Sequence, residues 1–358
     1  MAMRSRHRAT FLLSMERAGR GCRPDHATRI LAEQKDQFMK ETGFFCPRTH
    51  EPLVISADGR FLESPAGDRY PVIDGIPSLL LAAGQDEARG DRNKYYRERA
   101  AEYDAGNDVM FRMLLCEEEQ TREQLTDFLE IARGDRILEV GCGTCRDTRH
   151  FLKRGAQVYA GDINREMVHI GRDRLETAEV DTSALKLFVA DAGKLPFPDG
   201  FFDRAFHFGG LNLFPDIRAS VAEIARVVKP GGRVVLGDEG VGAWLGETEF
   251  GKILKNSNPL FHHQAPLDKI PTHARNVSCH WILNGSFYVM VFDVGTGEPQ
   301  LDLDIEFPGW RGGSHRKRYF GRLEGVSPEL RDQAVKAAAA EGISVVSWLE
   351  RALRRALD

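Results

Sequence analysis

A pair of glycines and two acids, each at the end of an apolar run, define the chemistry this chain is equipped for. The stretch "RILEVGCGTCRDT", Arg136 to Thr148, opens as a buried strand and breaks at Glu139-Val140-Gly141-Cys142-Gly143-Thr144. Glycine at a strand end lets a ligand touch bare backbone. The next run, "QVYAGDI", ends in Asp162-Ile163, and "LKLFVADA" ends in Asp191-Ala192. A carboxylate about 20 residues after the glycines can accept both hydroxyls of a ribose. Asp191 is suited to accept the exocyclic amine of adenine, and Ala192 leaves room for the ring. Together these residues could hold a nucleoside. The diphosphate form G-x-G-x-x-G is absent, because Arg146 occupies the third glycine position. A dinucleotide is therefore disfavoured. The plainer alternative is an ordinary α/β domain whose acids cap helices.

These residues need a scaffold that brings strand ends together. From 109 onward the chain alternates strands with helices: a helix over 109–132, "RILEV", helix "CRDTRHFLKRG", "QVYAGDI", helix "NREMVHIGRDRLET", "LKLFVADA", "FDRAFHFGG", helix "DIRASVAEIARVV" and "GRVVLGDEG". That rhythm implies βαβ units and a parallel sheet. "SCHWILNGSFYVMVFDVGTGEPQLDLDIEF" adds an antiparallel edge hairpin, with Gly-Thr-Gly-Glu-Pro as its turn. The expected fold is α/β: a doubly wound, mostly parallel seven-stranded sheet with that hairpin. A small β-rich module at 43–83 precedes it, and a C-terminal helical pair follows it.

With 358 residues, 42% of them hydrophobic and 28% charged, the composition is that of a globular protein. A net charge of −4 argues against bulk attraction to nucleic acid or membrane. The charge is uneven: residues 1–40 carry nine Lys/Arg against four Asp/Glu, and 314–358 carry nine against six, so the middle is acidic. Six cysteines are scattered, with Cys142 and Cys145 as the one C-x-x-C, which suggests a reducing cytoplasm rather than a disulfide framework. No apolar run reaches ~18 residues, so no membrane span is expected. The patch "FLLSM" is too short for a signal peptide.

The segments "LEVGCGT", "GDINREMV", "ADAGKLPFPDGFFDRAF" and "EIARVVKPGGRVVL" resemble, in order, the motifs of the class I S-adenosylmethionine-dependent methyltransferases. "AEYDAGND" resembles the segment that precedes the core in quinone-biosynthesis C-methyltransferases. The resemblance implies a Rossmann-like core and S-adenosyl-L-methionine as cofactor. It implies that Glu139, Gly141, Cys142 and Gly143 face the methionine part, that Asp162 with Ile163 holds the ribose, and that Asp191 with Ala192 holds the adenine. Tyr103 would close over the cofactor. Cys145 is a departure, because many relatives have glycine there.

Methyl transfer is an in-line displacement in which the protein aligns the acceptor and excludes water. An oxygen or nitrogen acceptor needs a base; a phenolate-like carbon needs only a proton sink. Candidates at strand ends are His207 and Asn212 in "FHFGGLNLF", and Asp238 and Glu239 after the fifth strand. His262 and His263 lie in an insertion, 243–275, read as a lid. His207, Glu239 and His262 are the catalytic candidates, and His207 also belongs to the cofactor set. Trp244, Phe250, Leu254, Leu260 and Phe261 in the lid suit an apolar or aromatic acceptor, or simply pack the lid onto the core.

Two end segments complete the expected organisation. Residues 1–42 read as a basic, flexible start with a short helix near 27–41. "FFCPRTHEPL…YPVIDGIPSLL" resembles a zinc-ribbon-type module found before some methyltransferases, including ones acting on RNA. Such modules use two C-x-x-C pairs. Here Cys46 stands alone, with Thr49, Ser64 and Gly67 at the other positions, so no metal is expected. The enzyme domain is expected over 84–312. The tail, 313–358, resembles ribbon-helix-helix modules, with a ribbon near 317–326 and helices near 328–341 and 345–357. The expected function is methyl transfer to a small organic acceptor of aromatic or isoprenoid-like character, by a cytoplasmic homodimer. An RNA methyltransferase, and a DNA-binding or scaffolding protein with a vestigial core, stand as alternatives.

Overall fold

A computed structural model describes residues 42–81, 102–303, 305, 306, 308, 314, 315 and 327–358. The expected helix at 27–41, most of the charged stretch 84–107 and the expected ribbon at 317–326 lie outside the described residues. The described residues up to Gly297 form one compact unit, and those from Glu298 form a second. That division falls upstream of the expected boundary at 312/313.

The first unit opens with a small antiparallel sheet, β1 (Val54–Ile55), β2 (Phe61–Glu63), β3 (Arg69–Ile73) and β4 (Ile76–Pro77). Its apolar residues Phe44, Leu53, Leu62 and Tyr70 join the main core. Phe44 packs against Phe188 and Phe197 with ring centroids 5.6 and 6.0 Å apart. Leu79 then donates its amide to Val189 O at 2.7 Å, which covers the outer edge of the large sheet.

The zinc-ribbon positions carry hydrogen bonds. Cys46 is fully buried, its Sγ 3.2 Å from Tyr70 Oη and 3.5 Å from Asp68 Oδ2. Ser64 donates to the same carboxylate, and Arg48 grips both its oxygens at 2.7–2.8 Å.

The large sheet has seven strands: β5 (Arg136–Val140), β6 (Gln157–Asp162), β7 (Leu185–Val189), β8 (Phe202–Phe208), β9 (Val228–Glu239), β10 (Ala274–Ile282) and β11 (Phe287–Val294). Their spatial order is β10-β11-β9-β8-β5-β6-β7. The pairs among β5 to β9 are parallel, and β11 lies antiparallel to both β9 and β10. This is the expected doubly wound sheet with an antiparallel hairpin. The strands are apolar on both faces because helices cover both. Leu138 and Val140 of β5 belong to one core cluster and Ile137 to the other. Strand order reverses beside β5, which opens a crevice at its carboxyl end.

The connecting helices are α1 (Glu118–Phe128), α2 (Thr148–Lys153), α3 (Arg165–Thr177), α4 (Ile217–Arg226) and α5 (Glu249–Ser257). Asn164 caps α3 by accepting the amides of Glu166 and Met167, and Asp216 caps α4. The single helix expected over 109–132 is two: residues 102–113 are helical, the chain breaks at Leu115 with φ +54°, and α1 follows. The hairpin turn also differs from expectation. It is Leu283–Gly285, with Asn284 at φ +56°, and the Gly-Thr-Gly-Glu-Pro cluster lies beyond β11.

In the second unit, α6 (Pro328–Ala340) and α7 (Val345–Leu357) match the expected helical pair. Ser327 and Ser344 cap them, and Gly342 takes φ +67° between them.

Candidate active site

The ends of β5, β6, β7, β8 and β9 converge on one cleft of about 260 Å³. At its base the glycine turn follows β5. Gly141 has φ +68°, and a Cβ there would lie 3.1 Å from the His207 ring. The backbone can therefore turn and meet a ligand only because this residue has no side chain. Gly143 donates its amide to Asp162 Oδ2 at 3.0 Å, and Asn164 donates to Oδ1 at 2.8 Å. Burial raises the Asp162 carboxyl above its usual range, and these amides pull it back. Each oxygen retains a lone pair for a vicinal diol. Ile163, Asp191 and Ala192 line the wall beyond it. Asp191 Oδ1 accepts the Gly193 amide at 2.9 Å, which fixes the carboxyl at the end of β7.

Tyr103 covers the turn: its Cε1 would be 3.9 Å from a Cβ on Gly143. Asn107, one helical turn on, lines the same cleft. Met167 of α3 closes the side below Tyr103.

Three expected contacts differ. Glu139 is buried beneath the turn and accepts from Thr148 Oγ1 at 2.5 Å. Strand alternation sends its side chain to the face covered by α2, so it supports the turn and does not line the cleft. Burial holds its carboxyl well above the usual range. Cys142 likewise points into the core, beside Cys145, and its thiol is pushed well above the usual value by that neighbour and by burial. His262 is exposed: its 3₁₀ turn (Pro259–His262) buries Phe261 and sends Leu260 into the cleft instead.

His207 and Glu239 do face the cleft. His207 Nδ1 donates to Val140 O at 2.7 Å, which leaves Nε2 as a buried acceptor without a partner. Burial lowers its pKa, so the ring is neutral. Glu239 Oε2 is buried and unpartnered, and burial with Asp238 alongside raises its pKa well above the usual range. Asp238 has a separate task. Its carboxylate accepts the amides of Gly210, Asn212 and Glu239 and so shapes the loop after β8. Asn212 bridges Glu239 O and Tyr288 Oη at 2.9 and 3.0 Å.

Residues that sequence reasoning passed over also line the cleft: Leu213, Phe214 and Pro215, and Ser220 of α4; the Phe214 ring lies 4.9 Å from that of His207. Their signal was the continuation of the strand-end segment, "GGLNLFPD". Of the lid residues, Leu260 alone reaches the cleft. Leu254 and Phe261 join the core, and Trp244 packs edge-on against Trp281 at 5.4 Å.

Cys145 adopts φ +57°, a backbone conformation that favours glycine. Its thiol fits because α3 presents Gly171, where a Cβ would lie 2.5 Å from the sulfur.

Residues 138–236 match a family described as "Methyltransferase domain" (Methyltransf_11). The chain is 31% identical over 180 residues to the ubiquinone/menaquinone biosynthesis C-methyltransferase UbiE of Chromobacterium violaceum, covering 49% of this chain and 67% of the relative. The chain belongs to the class I S-adenosylmethionine-dependent methyltransferases. S-adenosylmethionine is accordingly the cofactor of this methyltransferase. The methyltransferase GfsG of Streptomyces halstedii is 31% identical over 121 residues, covering 34% of this chain and 43% of that protein. The chain thus spans between 43% and 67% of the length of these curated relatives. A chain from the complex between the Haloferax volcanii Trm112 methyltransferase activator and a methyltransferase covers 58% of it, at 16% identity and a TM-score of 0.43. Among the described residues, no helix is long and apolar enough to cross a membrane.

Proposed function

We propose that this chain transfers a methyl group from S-adenosylmethionine to a small, apolar or aromatic acceptor, at carbon or oxygen. The observation that carries this reading is the shape of the cleft. The same cleft combines bare glycine backbone, Asp162 and Asp191 with the apolar residues Leu213, Phe214, Pro215 and Leu260, and with an unpartnered carboxyl oxygen on Glu239. The cofactor supplies an activated methyl on a sulfonium, so the protein's work is alignment and the handling of one proton.

Asp162 accepts the ribose hydroxyls while the Gly143 amide fixes its orientation. Asp191 and Ala192 hold the adenine, and Tyr103 excludes water from above. The apolar lining residues orient the acceptor by burial and admit few polar groups. Glu239 is the proton acceptor: a carboxyl with a raised pKa is a stronger base, once ionised, than an ordinary one. His207 stays neutral and braces Gly141.

The RNA reading needs a metal-holding module and has a single thiol at the four zinc-type positions. The DNA reading rests on a ribbon outside the described residues. A second copy of the chain is the partner we infer for the C-terminal pair, whose Val346, Leu353 and Leu357 are exposed; sedimentation of the full chain tests this. The free thiols of Cys142 and Cys145 suit a reducing cytoplasm.

The test is incubation with S-adenosylmethionine and a panel of phenols, quinols and enolisable ketones, read by mass. A 14-dalton gain on a panel member supports the reading. Transfer to RNA alone contradicts it.

A further inference from the structure

The residue that replaces the third glycine is not passive. Arg146 is buried, and its guanidinium gathers three carboxylates: Asp104 at 2.8 Å, Asp108 at 3.0 Å and Glu118 at 2.6 Å. Arg146 also donates to Asp104 O at 3.1 Å. Asp104 in turn accepts from Thr144 Oγ1 and from Arg174 of α3, each at 2.7 Å. Two partners of Asp104 thus come from the glycine turn and one from the helix that follows Asp162. The network continues through Arg122, which joins Glu118 to Asp147 at 2.6 Å each.

The helical register gives this cluster its meaning. Asp104 and Asp108 lie four residues apart on one stripe of the helical stretch 102–113. Tyr103 and Asn107 lie four apart on the adjacent stripe, and both line the cleft. A grip on the first stripe therefore fixes the rotation and height of the second. Of Arg146 and its three carboxylates only Arg146 is buried, and such a cluster contributes little net stability by itself. Its physical consequence is a defined geometry between helix and turn.

We infer that Arg146 and Asp104 are positioning residues, which latch the helix bearing Tyr103 and Asn107 over the cofactor and slow its escape. The inference rests on the cofactor reading of the cleft. The latch joins the cover to the part of the backbone that the cofactor touches. Releasing Asp104 frees the cover without altering any group that lines the cleft. The latch acts on cofactor residence, and the transfer step between bound reactants does not depend on it.

The experiment is a chase. The full chain is loaded with radiolabelled S-adenosylmethionine, and release is timed after adding excess unlabelled cofactor. Asp104→Asn is expected to speed release at least tenfold and to raise the cofactor KM, with kcat at saturation within twofold of wild type. In a Tyr103→Ala background the same substitution is expected to change release less than twofold, because the cover it positions is gone. Arg146→Lys, which keeps the charge and loses the fork, is expected to fall between wild type and Asp104→Asn.

Unchanged release in Asp104→Asn overturns the latch, as does an equal effect in both backgrounds. If Asp104→Asn fails to fold, Thr144→Val removes one of its donors, and release less than threefold faster then overturns the latch. No binding by the wild-type chain would overturn the cofactor reading itself, which separates the two failures.

Discussion

The Gly143 amide and the Asp162 carboxylate meet at 3.0 Å, so the glycine turn after β5 and the acid ending β6 form one unit. Removing the acid therefore loses a ligand group and loosens the turn. Asp162→Ala is expected to weaken cofactor binding at least tenfold, about 1.4 kcal/mol. Asp162→Asn keeps an acceptor oxygen for one of the two amides and turns an NH2 group toward the other, so its melting temperature should fall along with its affinity. Equal affinities for Asp162→Ala and wild type would remove the ribose assignment.

The contact between Gly141 and His207 gives a second test. A side chain at Gly141 would meet both φ +68° and the imidazole 3.1 Å away. Gly141→Ala should cost about 1–2 kcal/mol in backbone strain, beyond any clash. Adding His207→Ala relieves the clash and leaves the strain, so the double variant should recover part of the lost melting temperature relative to the sum of the single changes. Strict additivity would contradict the contact.

Glu239 gives a pH test. Its folded pKa is raised, so below the ordinary carboxyl value both folded and unfolded forms are protonated and no cost arises. As pH rises past that value, the unfolded chain ionises first, and stability is lost up to the folded pKa. Glu239→Gln removes this loss. The variant should melt above wild type at pH 8, with the difference shrinking toward pH 5. Methyl transfer should fall in the same variant, and wild-type kcat should rise with pH through the raised pKa. A melting difference that is flat with pH would contradict the buried, protonated carboxyl.

The order of strands and helices was legible because each buried strand is a short apolar run and several helices, α3, α4 and α5 among them, open on a side-chain cap. Two elements were not. The helix expected over 109–132 was misread because apolar periodicity continues through Leu114 and Leu115, while the left-handed backbone at Leu115 leaves no trace in residue type. The hairpin turn was misread because Gly-Thr-Gly-Glu-Pro is a louder cluster than Asn284-Gly285, although an Asn-Gly pair between apolar runs is the stronger hairpin signal. In the cleft, Gly141, Gly143, Asp162 and Asp191 were readable from their places at strand ends. Glu139 and Cys142 were assigned to the cleft because spacing alone does not say which face a side chain takes.

Cys145 and Gly171 form a compensating pair. Gly171→Ala would bring a Cβ within 2.5 Å of the buried sulfur and should destabilise the protein markedly. Cys145→Gly in that background should restore much of the loss, because the sulfur is gone and glycine tolerates φ +57°. A Gly171→Ala variant as stable as wild type would show that α3 does not press on the turn.

Titration calorimetry of S-adenosylmethionine into the full-length chain tests the central claim most directly. One saturable site per chain, weakened at least tenfold by Asp162→Ala, is the expected result. No binding heat at any temperature tried, or binding that ignores Asp162, would contradict the account.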